Sequence, residues 1–527
     1  MFQETSNQPS RNKFGLNFDL KMSMDMGWLY PGFIQYAYPG DSFSVSTASL
    51  ARLMPLQTPV MHDVNLHWEF FAVPLRLLWD KSEDFFTGGK DGNDASVPPG
   101  LPDKIGLQYL QHWCRGGHRN DIGEEKTLLA FPARAYYLIW NEWYRDQDLQ
   151  QELTIPLTGG FDSQTYYIQP RCWEKDPFTT LRPWVQKGNA PVVGLVSGTA
   201  PVYGVNGTGM SLERHSGVSS TPAGQMFGDI QNTIFFNETG APLSKNPVNI
   251  VSKESGKTST VYADLMNVGN QISAQLIRLM MQLQTTLERT ALYGSRYVEW
   301  MLATFGVRSD DARLQRPEFL GGGVSPVNFT EVLQTSSTDT TSPQANMAGH
   351  GFGAGVFQGF QKSFTEHMIV IGLVSMMPKT SYFQGYDREN YYKNRQTRND
   401  WYQPAYAHLG MQPVFKDEVV ADNVANKDVV FGYQPAFNEL RYKKSVILGS
   451  LRGTDVNWHL GRSLASNVAL NADFVKAQVS KRIFAKTITD HSSIFLQTEF
   501  NFSGIRMVPA VGTPGFMDHP IGFTRGF

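Results

Sequence analysis

Hydrophobic and polar residues alternate in several short runs of this chain. From Val64 the order is V-N-L-H-W-E-F. In an extended chain Val64, Leu66, Trp68 and Phe70 fall on one face, and Asn65, His67 and Glu69 on the other. The pattern predicts a strand whose apolar face joins a core. Ala72-Val73-Pro74 should end it, because proline has no amide to donate to a ladder. Residues 41–46 alternate in the same way, as a half-buried strand does. Near the C-terminus Ile494, Leu496, Phe500 and Phe502 share one face, opposite Gln497, Glu499 and Asn501. Residues 360–376 read as one long apolar strand region. The first and last strong strands are separated by most of the chain, which favours a sheet that closes non-locally, and in a jelly roll the terminal strands lie side by side.

Three segments have helical spacing. In 133–144, Ala133, Tyr136, Tyr137, Trp140 and Tyr144 form an aromatic stripe. In 271–293, Ile272, Leu276, Leu279, Leu283, Leu287 and Ala291 recur at steps of three and four, and Gly294 is placed to end the helix. A shorter helix, 297–305, ends near Gly306. Residues 188–260 break these patterns: Gly, Ser, Thr, Asn and Pro dominate and charges are few. Connections this long are uncommon in compact domains and are usually functional. The apolar pieces around Val202 and Phe235 predict a projecting loop with some strand content. Residues 1–12 read as an arm.

The chain has 527 residues, 41% hydrophobic and 13% aromatic, which is enough for a large core. Only 18% are charged, below the roughly 25% usual in soluble proteins. Low charge with many aromatics suits a chain that buries surface against copies of itself. The net charge of −2 gives no global basic field. Two cysteines, Cys114 and Cys172, exclude a disulfide scaffold. The polar start, 1–17, lacks the apolar stretch of a signal peptide, and no apolar run reaches bilayer length. On that basis the sequons at Asn206, Asn237, Asn328 and Asn501 are chance matches.

Little in the sequence suggests catalysis. His112, Cys114 and His118 offer part of a metal set, but no fourth ligand lies nearby, and they read as ordinary loop residues. G-F-G-A-G at 351–355 lacks the last glycine of a dinucleotide loop and the surrounding βαβ unit, and reads as a flexible entry to the next strand. G-S-L-R-G at 449–453 has its serine one place too early for a nucleophile elbow. No carboxylate pair stands out. No catalytic residue, metal ligand or cofactor is therefore expected. Small basic clusters occur at Arg11 with Lys13, at Lys393, Arg395 and Arg398, and at Arg441, Lys443 and Lys444.

Four separated blocks carry a family resemblance. P-G-D-S-F, R-L-M-P-L, V-N-L-H-W-E-F-F-A-V-P and W-D-K-S-E-D-F follow in order through 39–86. The aromatic helix and R-D-Q-D-L fill 131–149. T-T-L-R-P-W-V-Q-K-G lies in 177–188, and D-A-R-L-Q-R-P-E-F-L-G-G-G in 294–335. Together they resemble the major capsid protein of the microviruses, small single-stranded DNA phages, and within them the gokushovirus branch. The resemblance implies a mainly β protein, an eight-stranded antiparallel jelly roll with large loop and helical insertions. It divides the chain into 1–187, an arm and the first part of the roll; 188–260, an insertion forming spikes at threefold axes; 261–335, helices and loop; and 336–527, the rest of the roll.

The same resemblance implies a T=1 icosahedral shell of about sixty copies, assembled in the host cytoplasm around circular single-stranded DNA. Further capsid, internal basic and pilot proteins of the virion, and a host surface receptor, would be partners. Many copies presenting the same few cations to one polymer can neutralise it without any chain being basic. Arg11 and Lys13, on an arm that can line the shell, are the DNA-contact candidates. Phe235 and Phe236 are the spike or host-contact candidates. They form either a seam between three symmetry-related loops, the favoured reading, or an apolar patch that meets the host. A β-sandwich glycoside hydrolase would need a signal peptide and a carboxylate pair, and a trimeric fibre would need sequence repeats.

Overall fold

The computed structural model describes residues 11–101, 128–191, 274–335, 338, 344–390, 401–406, 410–421, 423–485 and 492–509, and the backbone alone of 202–204, 210–214, 248–252, 261–263 and 391. The chain divides into two compact units, Gly188–Leu287 and the remainder.

The larger unit is organised by one antiparallel sheet. Its strands are β1 (Asn12–Gly15), β2 (Phe18–Met24), β3 (Tyr30–Ala37), β4 (Ser42–Leu53), β5 (Val64–Pro74), β6 (Glu318–Leu333), β7 (Met347–Ser363), β8 (Met368–Pro378) and β9 (Ile494–Arg506). The order is β1-β9-β4-β7-β6-β5-β8-β3, with β2 also on β9. Because β2 pairs with 494–500 and β1 with 503–506 of the same strand, nine strands occupy eight lanes. The C-terminal strand thus pairs along nearly its whole length with β4, and the ends of the fold meet in one sheet.

Alternation explains the curl of that sheet. In β4, Phe43, Val45, Thr47, Ser49, Ala51 and Leu53 are buried and the residues between them are not. Strands β2 to β9 all send buried side chains into one core, where Phe33 of edge strand β3 meets Phe18 of β2 at 6.0 Å and Phe500 of β9 at 5.4 Å. The two edges of the sheet therefore close on each other through aromatic side chains. Gly32 makes room at this seam, since a Cβ there would lie 2.5 Å from the Trp68 ring. Bulges at Phe319/Gly321 and Gln358/Phe360 add local twist. A Cβ on Gly321 would fall 2.5 Å from the Gly359 carbonyl, so the two bulges abut.

Half of the sheet is covered on its outer face as well. Every residue of β8 is buried. Val370, Val374 and Met376 face the barrel core, whereas Ile369, Ile371 and Leu373 face a second core. A strand buried on both faces reads as a continuous apolar run. This is why residues 360–376 look like one strand. They are the end of β7, a turn and the start of β8, with the Phe364 amide on Asp41 and the Gly40 amide on Phe364. The second core is built on helix α1 (Phe131–Ile139), opened by Pro132 in its first turn and continued by a π turn, Trp140–Tyr144. Ala133, Tyr136, Tyr137 and Trp140 are all buried in it. Arg134 is fully buried and bonded to Asp162, to the Leu78 carbonyl at 2.7 Å and to the Thr158 carbonyl at 2.8 Å. A third core joins 178–181 to a 411–415/430–435 hairpin.

Helix α2 spans Ala274–Tyr293, with Gly294 after it in the left-handed region, and α3 spans Tyr297–Phe305 before Gly306. Residues 271–273 lie outside the described residues. Within the smaller unit, 202–204 pairs with 261–263 and 210–214 with 248–252, both antiparallel.

Candidate functional site

Val64, Leu66, Trp68 and Phe70 are 0–1% exposed and line the barrel core. The Trp68 indole donates to Ser49 at 2.9 Å, and Ser49 shares a 2.8 Å hydrogen bond with Thr498. This relay ties β5, β4 and β9 together inside an apolar interior, where an unpaired polar group would be costly.

The opposite face of β5 departs from the simple alternation. His67 is only 6% exposed, because 171–174 packs over it. Burial, and after it the Arg171 charge, hold the His67 imidazole down to about 4. It is neutral at pH 7, so its 3.7 Å approach to Glu174 is not an ion pair. Beside it a cavity of about 340 Å³ is lined by Glu69, Trp143, Tyr144, Arg171, Cys172 and Glu174 among others. Here Arg171 donates to Ser375 at 2.8 Å and approaches Glu69 at 3.4 Å, while the Tyr144 hydroxyl donates to Glu69. Burial first, and then the Glu69 charge, drive the Tyr144 phenol well above its usual value. Burial pushes the Cys172 thiol up to about 11. A neutral imidazole, a protonated thiol and a carboxylate held by its neighbours make a structural network, not an acid/base pair. Sequence spacing gives no sign of this cluster, since its members come from four separate segments.

Lys13 belongs to β1, opposite Ile505, and Arg11 immediately precedes that strand. The two candidate DNA contacts therefore sit at a sheet edge and not on a free arm. Arg441, Lys443 and Lys444 are close in space, but Lys443 pairs with Glu389 at 2.9 Å and Lys444 with Asp387 at 3.1 Å. That cluster is largely neutralised. Residues 351–355 lie inside β7, not in a flexible entry to it. A Cβ on Gly355 would come within 2.4 Å of the Ser325 hydroxyl, so packing against β6 accounts for that glycine. His112, Cys114, His118, Phe235, Phe236, Lys393, Arg395 and Arg398 lie outside the described residues. Among the described residues no group of three metal-ligating side chains occurs, and no helix is long and apolar enough to cross a membrane.

The prominent surface feature is apolar. Helix α3 buries none of its residues although its sequence is YVEWMLATF. Tyr297, Leu302, Phe305 and the following Val307 are 62%, 51%, 66% and 58% exposed. Tyr297 stacks on Trp300 at 6.0 Å and Phe305 meets Trp300 edge-on at 5.4 Å. The single charge, Glu299, is turned back onto Arg296 at 3.2 Å. Arg296 in turn donates to the Asn141 and Arg145 carbonyls at 2.9 and 2.8 Å, which anchors the start of the helix to the second core. A contiguous aromatic patch on a rigid base marks a surface for another protein. It lies in the 294–335 block of the family resemblance.

The sequence matches the capsid protein (F protein) family over residues 3–516. It is 32% identical to capsid protein VP1 of Chlamydia phage 1, over 96% of this chain and 95% of that one. It is also 32% identical to capsid protein VP1 of Bdellovibrio phage phiMH2K, with the same coverage. Capsid protein VP1 of Spiroplasma virus 4 is 29% identical over 97% of this chain and 96% of its own. A curled, mainly β antiparallel sheet agrees with these likenesses. The chain belongs to the phage capsid protein (F protein) family of the microviruses, a structural component of the virion and not an enzyme.

Proposed function

We propose that this capsid protein closes into a T=1 icosahedral shell of about sixty copies, packages circular single-stranded DNA, and presents its insertion to the host. The observation that carries the reading is the bare aromatic surface of α3. A single chain that leaves Tyr297, Leu302 and Phe305 more than half exposed is complete only against a neighbour, since fully buried interface cores are rich in such residues. Additional capsid, internal basic and pilot proteins would complete the virion. The unit Gly188–Leu287, which contains the whole 188–260 insertion, would form the threefold spike, with Phe235 and Phe236 at a seam or at the receptor surface. Electron microscopy of the purified protein tests assembly: wild type should form closed shells, and Phe305→Ser should leave soluble, folded capsomers. Wild-type protein that stays monomeric at every concentration and salt, or Phe305→Ser shells indistinguishable from wild type, would refute the reading.

A further inference from the structure

The sheet is covered on its outer face over β5, β8 and β3 but bare over β2, β9, β4 and β7. Register places one row of outward side chains, all exposed except the half-buried Phe352, straight across the bare part. Ser23 of β2 pairs with Phe495 of β9, Phe495 with Arg52 of β4, Arg52 with Phe352 of β7, and Phe352 with Asn328 of β6. All five lie on the outer face, and Phe495 is 53% exposed. The next residue along that face of β7, His350, stacks on Phe352 at 6.5 Å and 22°. A depression of about 510 Å³ opens over the β2, β9 and β4 members of this row, lined by Lys21, Ser23, Leu50, Arg52, Phe495 and Gln497 among others.

Two features argue against a merely solvated face. Phe495 and Phe352 stand about two strand spacings apart, roughly 10 Å, with a cation between them. Among the described residues Arg52 has no hydrogen bond, ion pair or ring contact, whereas Lys21 is paired with Asp19. An unpaired guanidinium flanked by the exposed ring of Phe495 and the half-buried ring of Phe352, with Ser, Gln and Asn around it, matches what a nucleotide offers: a phosphate for the cation and a base face for each ring. Stacking accepts any base, and the uncharged polar neighbours impose no single readout. The acidic residues of the face, Asp19 and Glu499, are opposite each other in register, one row beyond Lys21 and two beyond Arg52.

We propose that the Phe495–Arg52–Phe352 row is a stacking platform for single-stranded DNA, which places this face of the sheet toward the genome. The proposal rests on the packaging reading above and adds the site and its mode of binding. Each copy contributes a weak, sequence-tolerant contact, and repetition over the shell makes the sum large.

The test uses full-length capsomers and two probes of about 15 nucleotides, an oligothymidylate and a deoxyribose-phosphate oligomer of the same length without bases. Wild type should prefer the oligothymidylate by about tenfold, the lower part of the range for loss of one stacked base. Phe495→Leu should remove most of that preference and Phe495→Trp should keep it. Arg52→Gln should weaken both probes and reduce the slope of log affinity against log salt by about 0.7. Equal affinity of wild type for the two probes, or unchanged binding in Phe495→Leu and Phe352→Leu, would overturn the platform. So would variants that bind DNA normally but cannot assemble, because the face would then be a contact between copies. The DNA content of shells separates the two readings. Wild-type shells without DNA sink the packaging reading, whereas filled wild-type shells and equally filled Phe495→Leu/Arg52→Gln shells sink the platform alone.

Discussion

Trp68→Ala should unfold the barrel or leave it too weak to assemble. The indole is fully buried. It stacks on Phe70 at 5.9 Å, meets Phe500 edge-on at 5.4 Å, and fills the space that Gly32 leaves open on β3. Truncating a buried Trp to Ala costs about 3–5 kcal/mol. Loss of the donor to Ser49 adds little, because Ser49 keeps Thr498 as a partner. A domain has only about 5–15 kcal/mol in total, so one substitution removes a large share. The control is His67→Ala on the other face of the same strand. His67 is buried too, so its removal is not free. However, its ring is smaller and its Nε2 has no hydrogen-bond partner among the described residues, so the cost should be about 1 kcal/mol. Urea unfolding of unassembled subunits, followed by circular dichroism, measures both. Trp68→Ala should lower the midpoint at unchanged slope and abolish particle yield, with Trp68→Phe in between. Equal costs for Trp68→Ala and His67→Ala would show that the buried face or the register of β5 is misassigned.

Two buried groups make opposite contributions to pH dependence. His67 has its folded pKa depressed to about 4, so the unfolded chain binds the extra proton; stability should rise by up to about 3 kcal/mol as pH climbs from 4 to 6.5, and His67→Gln should flatten that part of a melting-temperature profile. Glu418 is raised to about 6, by burial against the opposing pull of Arg388; stability should fall by about 2 kcal/mol as pH rises from 4.5 to 6, and hydrogen exchange in 411–435 should report it and lose it in Glu418→Gln. Replacing Arg11 and Lys13 together by Ser should lower the DNA content of particles, measured by absorbance ratio, while empty shells still form; unchanged content removes the pair as DNA contacts. Replacing residues 192–257 by a short Gly/Ser linker should leave shells that lack surface spikes and infect poorly, since loop-closure entropy changes by only about 0.6 kcal/mol per doubling of length; failure to fold, or retained spikes and infectivity, would refute the role of the insertion.

The periodicity of side chains determined much of this protein in advance. Alternation from Val64 to Phe70 and from Ile494 to Phe502 requires strands with one buried face. The spacing of 297–305 requires a helix that stops at Gly306. These are local properties, because a strand or a helix sorts its own side chains whatever it later touches. Tertiary structure decided what covers the other face. Nothing in V-N-L-H-W-E-F says that His67 will lie beneath 171–174, or that β8 will be buried on both sides and so merge with β7 in the sequence pattern. Helical spacing in 297–305 cannot tell a helix that packs inward from one that stays bare, because the same aromatic residues serve both, and only the anchoring of Arg296 on the second core settles it. The row from Ser23 to Asn328 is invisible in sequence for the same reason. Its members come from five strands, and only the register of a sheet that closes across the whole length of the chain brings them side by side.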